Sequence, residues 1–308
     1  MTAPSTAERS RPRSVAPIVG VALLAVAIAV LALTAGEGPL SVAEAIVLGA
    51  VEGITEYLPV SSTGHLLVVE RLLGLGEGTA KAAADTYAIA IQMGAIAAVI
   101  ALYRGRIVQL GRGLAGRDGE GRRILICLFV AFLPSAVIGL VFGTAIKENL
   151  FGPWPVVAAW VLGGLFLLVW RPAPGHVTLG TMSTRHAAVI GVAQILALWP
   201  GTSRSLTTIV AALALSWTMT AAIEFSFLLG LATLTAATAL DLTKDGRAML
   251  DAYGWKTPLL GSLVAFVTAV LAVRWLVGYM RTRPLAIFGW YRLGVAALTV
   301  ALLATGAI

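Results

Sequence analysis

Seven apolar stretches of 17 to 24 residues leave this chain few ways to fold. They are Val15–Ala35, Asp85–Tyr103, Ile124–Gly143, Trp154–Trp170, Met219–Leu242, Pro258–Met280 and Leu285–Ala307. A helix rises about 1.5 Å per residue, so runs of this length span a hydrocarbon core of roughly 30 Å. Inside that core every backbone amide needs a partner within the protein, and helices provide one. Charged residues make up only 12% of the chain, against roughly 25% in soluble domains. The fold class is therefore all-α, a polytopic integral membrane protein with no sizeable soluble domain. The net charge of +7 sits on arginines in the short loops. That is the pattern of cytoplasmic loops facing anionic headgroups, and it excludes nucleic acid as the partner. Cys127 is the sole cysteine, so there is no disulfide framework, and it reads as core packing.

Loop charge sets the topology. Residues 1–14 carry Arg9, Arg11 and Arg13, which places a cytoplasmic tail before an extra transmembrane helix at 15–35. That run exceeds the apolar core of a signal peptide, so it reads as retained. The loop 104–123 holds six arginines and is cytoplasmic, as are 171–186 and 281–284, while 144–153 and 243–257 fall outside. Parity then requires residues 41–75 to enter the membrane and return on the same side. Their second arm, Ser62 to Gly74, rises only about 20 Å as a helix, too little to cross. The same count makes 187–217 a hairpin opening to the opposite side. Each re-entrant hairpin precedes three spanning helices, so residues 41–170 and 185–307 read as inverted-topology repeats. In that plan sites form near the midplane.

The hairpin tips carry the chemistry. The first reads EGITEYLPVSSTGH (Glu52–His65) and the second ALWPGTSRSLTTI (Ala197–Ile209). Glu52 and Glu56 share a helical face, and two carboxylates at that depth need a cation. Arg204 is the one cation near the second tip, and Glu52 and Glu56 are candidate ligands for a divalent metal, Mg²⁺ or Ca²⁺. Pro59 and Pro200 break their helices, so Ser62 and Ser203 lie near new helix N-termini that favour anions. Ser61 and Thr63 join Ser203 and Arg204 as candidate substrate-binding groups for a phosphate. Ser62 is a candidate nucleophile with His65 as base, or the reverse, and helix capping is the structural alternative for the hydroxyls.

These two segments, with EFSFLL at 224–229 and ATALDL at 237–242, closely resemble the signatures of the bacterial undecaprenyl-diphosphate phosphatase family, of the bacitracin-resistance protein type. The resemblance runs from about Ser41 to the C-terminus. It implies a plasma-membrane enzyme that hydrolyses undecaprenyl diphosphate to undecaprenyl phosphate and inorganic phosphate, recycling the carrier for envelope polymers and lowering bacitracin sensitivity. It assigns activity and metal use to Glu52, Glu56, Ser62 and His65, and diphosphate binding to Ser203, Arg204 and Thr208. The implied partners are the lipid substrate and membrane lipids, with a homodimer left open. Because the first hairpin opens outward, the site is expected to face the extracytoplasmic side.

Three departures stand out: the extra N-terminal helix, Leu206 in place of a usual glycine, and Ala232 in place of a usual proline. The rival class is a transporter or flippase of an anionic or lipid-linked substrate, which shares the inverted-repeat plan. The Glu, Ser, His and Arg set favours hydrolysis. Gln92 and Gln194 are candidates for lining the pocket or for hydrogen bonding between helices.

Overall fold

A computed structural model describes residues 40–75 and 78–308; the expected helix at 15–35 and the tail before it lie outside the described residues. In chain order the helices are α1 (Val42–Thr55), α2 (Ser62–Leu72), α3 (Gly78–Leu102), α4 (Arg104–Leu114), α5 (Gly119–Leu150), α6 (Pro153–Val169), α7 (Thr184–Gln194), α8 (Arg204–Ala214), α9 (Met219–Tyr253), α10 (Lys256–Met280) and α11 (Ala286–Ala304). A 3₁₀ turn at Ile195–Leu198 extends α7. Among the described residues the only β pairing is one isolated bridge, Val177 to Trp217. Segments within α3, α5, α9, α10 and α11 are long and apolar enough to cross a membrane. The chain is thus an all-α, multi-pass membrane protein.

Local signals set the helix ends. Ser41 and Glu44 form a capping box at the start of α1. Asp118 caps α5 by accepting from the Gly121 amide at 2.7 Å, and that bond holds its carboxyl below the usual range. Several boundaries differ from those read off hydropathy. The loop 104–123 contains α4, which Arg106 pins to α9 through Glu224 at 2.7 Å and to α5 through Glu120 at 3.3 Å. Most of 243–257 and of 144–153 is helical, because α9 runs on to Tyr253 and α5 to Leu150. Hydrogen-bonded helices continue past the apolar span, so a cut made at the first charged residue ends them too early.

The two short hairpins, α1–α2 and α7–α8, are packed reciprocally. α1 lies against α10, and α7 against α5. At each crossing a glycine lets backbones meet: Gly49 of α1 faces Gly261 of α10, and Gly191 of α7 faces Ala131 of α5. Helices α3 and α9 pack on each other, as do α6 and α11. The largest buried cluster brings Tyr57 and Val60 of the first tip together with Leu206, Phe227 and Cys127, so Cys127 is core packing as expected. Gln92 and Gln194 both bond between helices: Gln92 accepts from Thr238 at 2.5 Å, and Gln194 donates to Ser135 at 2.6 Å. Ala232 sits within the unbroken α9, and Leu206 is buried in α8.

Candidate functional site

Each tip ends in a serine with positive φ, Ser61 at 74° and Ser203 at 76°. That conformation is uncommon for a residue with a Cβ. It turns the chain so that each serine caps the helix after it: Ser61 Oγ accepts from Gly64 N, and Ser203 Oγ from Leu206 N. The structural match between the tips is therefore Ser61 with Ser203, not proline with proline. One more residue separates Pro200 from its cap than separates Pro59 from Ser61. On this register Gly49 matches Gly191, and Gln194 stands where the first hairpin has Glu52.

The tips interlock. Ser61 Oγ accepts from the Gly201 amide at 3.1 Å, and Ser205 Oγ donates to the Leu58 carbonyl at 2.8 Å. Trp160 donates from its indole to the Val60 carbonyl at 2.8 Å. Arg292, on α11 and fully buried, joins both tips. Its guanidinium donates to the carbonyls of Pro59 (3.2 Å), Thr202 (3.1 Å), Gly201 (2.7 Å) and Ala159 (2.9 Å). Sequence reading passed over this residue, although an arginine inside an apolar stretch is itself a signal.

Glu56 is the hub of the charged centre. One carboxylate oxygen accepts from Arg204 at 2.8 Å, and the other accepts from the Ser62 hydroxyl. Both side chains of the ion pair are largely buried. Arg204 also donates to the Ser226 carbonyl at 3.2 Å and lies 5.8 Å from the centre of the Tyr57 ring. α9 makes room for it with Gly230, where a Cβ would overlap the guanidinium. Two buried atoms here have no hydrogen-bond partner among the described residues: Glu52 Oε1 and Arg204 Nε. A bare acceptor and a bare donor beside one ion pair can receive a ligand that carries both a cation and anionic oxygens.

The other candidates take different places. His65 bonds to Ser61 O and to the Tyr291 hydroxyl, so the hydrogen-bond partner of Ser62 is Glu56 and not His65. Ser203 Oγ is 3.0 Å from Ser205 Oγ and serves as cap and tip contact. Thr208 is buried and bonds to Arg204 O at 2.9 Å and Ser226 Oγ at 2.6 Å, holding α8 to α9 behind the arginine. Thr63 is exposed.

Glu52 and Glu56 are hard oxygen donors of the kind that Mg²⁺ and Ca²⁺ take. No group of three or more His, Cys, Asp or Glu side chains suited to a metal occurs among the described residues. The chain thus offers two carboxylates, one with a bare oxygen. That fits an ion that completes its shell with phosphate oxygens and water, as Mg²⁺ commonly does.

Comparison with known proteins gives a consistent result. The family model described as Bacitracin resistance protein BacA matches residues 45–298. Undecaprenyl-diphosphatase of Sorangium cellulosum is 45% identical over 265 residues, covering 83% of this chain and 85% of the relative. That of Dechloromonas aromatica is 42% identical over 267 residues, 85% of this chain and 95% of the relative. Undecaprenyl-diphosphatase 2 of Rhodospirillum rubrum is 42% identical over 262 residues, 84% and 93% respectively.

Proposed function

The chain belongs to the bacitracin resistance protein family, and on that footing we propose that it hydrolyses undecaprenyl diphosphate to undecaprenyl phosphate and inorganic phosphate. This recycles the lipid carrier of peptidoglycan synthesis and opposes bacitracin. The observation that carries the reading is the Glu56 carboxylate, bonded at once to a serine hydroxyl on its own hairpin and to Arg204 of the other.

Ser62 is assigned as nucleophile. Its Oγ attacks the terminal phosphorus, the anhydride P–O bond breaks to release undecaprenyl phosphate, and the serine proton passes to Glu56. Arg204 aligns the transferring group; its bare Nε–H is a donor for a phosphate oxygen, and its charge offsets that of the leaving phosphate. Water then attacks the phosphoserine. His65 lies one turn from Ser62 on the same face, and its Nε2 takes the water proton while Glu56 returns a proton to the departing Ser62 oxygen. Glu52 and Glu56 are assigned as the residues that hold a divalent ion, which would neutralise diphosphate charge when bound.

The reciprocal packing of α1 on α10 and α7 on α5 supports two inverted units, 41–170 and 185–307. The extracytoplasmic opening of the site and the cytoplasmic N-terminus follow from loop charge as part of the same proposal, and a homodimer is the assembly to test. The decisive experiment is phosphate release from a polyprenyl diphosphate by detergent-purified protein with Mg²⁺ or Ca²⁺, abolished by chelation. Lipid movement across vesicles without phosphate release would move the assignment to a transporter.

A further inference from the structure

His65 is held from three sides. Its Nδ1 is 2.6 Å from the Ser61 carbonyl oxygen, and its Nε2 is 2.8 Å from the Tyr291 hydroxyl. The Tyr291 ring stacks on the imidazole, with centroids 5.7 Å apart and planes 19° apart, while Trp160 meets it edge-on at 5.0 Å. A carbonyl oxygen only accepts, so the ring proton sits on Nδ1. The neutral ring then presents its lone pair at Nε2, and the phenol O–H donates to it. The bond on one ring nitrogen thus decides the chemistry of the other.

The supports of this arrangement are themselves anchored. Trp160 is fully buried and bonded to the first tip. Tyr291 directly precedes Arg292, whose guanidinium ties α11 to the carbonyls of both tips. The phenol therefore cannot drift relative to the hairpin that carries His65. Tyr291 itself is 44% exposed, so its hydroxyl stands where a water or phosphate oxygen can replace it.

We propose that Tyr291 is a positioning residue for His65: stacking and a displaceable hydrogen bond keep the imidazole in one plane and one tautomer, with Nε2 unprotonated and ready for the proton it must accept. The inference rests on the phosphatase reading, in which His65 takes the proton of the attacking water. When that water arrives it displaces the phenol from Nε2, and the phenol rebonds once the proton has left.

The test is Tyr291→Phe, which removes the hydroxyl and keeps the ring. One neutral hydrogen bond shifts a population roughly 3- to 10-fold, and without it the imidazole spends that much less time in its working plane and tautomer before the water arrives. The variant should lower kcat by that factor with KM within about twofold, since the phenol is not assigned a contact with bound substrate. Nitrogen-15 spectra of ring-labelled protein, with His65 assigned by its loss in His65→Gln, give a readout independent of activity. Wild type should show a protonated Nδ1 and a hydrogen-bonded, unprotonated Nε2, whose resonance moves to the unbonded position in Tyr291→Phe. A wild-type Nε2–H tautomer, an unmoved resonance, or wild-type kcat in Tyr291→Phe would each overturn the inference. Wild-type protein that binds polyprenyl diphosphate but releases no phosphate sinks the phosphatase reading instead, and the wild-type spectrum then still decides whether the Tyr291 bond exists.

Discussion

Replacing Arg292 with lysine probes what holds the two tips together. The guanidinium donates to four carbonyls on three segments, Pro59, Ala159, and the pair Gly201 and Thr202. A lysine ammonium is a single nitrogen with three donors and cannot reproduce that fork. Two of the four bonds at most survive. A hydrogen bond from a charged donor is worth roughly 1.5–3 kcal/mol net, so losing two destabilises the protein by about 3–6 kcal/mol. For a chain of this size each kcal/mol moves the melting midpoint by about 2–4 °C. The expected fall is roughly 6–24 °C in a thermal melt of detergent-purified protein. Turnover should fall too, measured well below the midpoint, because the Glu56–Arg204 contact bridges the two hairpins that Arg292 joins. If Arg292→Lys melts within a degree or two of wild type and turns over normally, the tips are held by something other than this guanidinium.

Further perturbations separate the roles at the centre. Glu56→Gln keeps the shape but cannot take the serine proton, so turnover should drop about 10²–10⁴-fold, with Ser62→Ala in the same range; near-normal rates in Ser62→Ala would remove it as nucleophile. Gly230→Ala places a Cβ where the Arg204 guanidinium lies. It should reduce phosphate release at least tenfold and also lower the melting midpoint, because moving the guanidinium breaks its buried bond to Glu56; an unchanged rate would show that the arginine works from another position. Asp251 is exposed near the end of α9, so Asp251→Cys in a Cys127→Ala background should be labelled by an impermeant thiol reagent on intact cells. Labelling only after lysis would reverse the assigned orientation.

The charged set was legible in the sequence because each member breaks an apolar context in which it must be compensated. Glu52, Glu56, Ser62 and Arg204 stand out for that reason, and three of them, Glu56, Ser62 and Arg204, are directly bonded. Arg292 breaks the stretch Leu285–Ala307 in the same way. What hid it is that its partners are backbone carbonyls, which have no signature in a sequence. Tyr291 was hidden for a related reason, since a tyrosine in a membrane helix ordinarily reads as an interfacial anchor. The one-residue offset between the tips was also out of reach. Counting three residues on from each proline pairs Ser62 with Ser203, whereas the positive φ of Ser61 and Ser203 pairs those two. The helix α4 was missed because six arginines in twenty residues read as loop, while in the fold Arg106 finds Glu224 and Glu120.

The central claim is that one site is made from both hairpins, with Arg204 of the second acting on a phosphate that the first attacks. Its most direct measurement is the turnover of Arg204→Lys on a polyprenyl diphosphate, alongside its thermal melt. A guanidinium presents parallel donors to phosphate oxygens that an ammonium cannot copy. The account predicts a protein that melts close to wild type yet has lost about 10²–10³ in turnover, the order seen when one transition-state donor is removed. A folded Arg204→Lys that releases phosphate at near wild-type rate would contradict it.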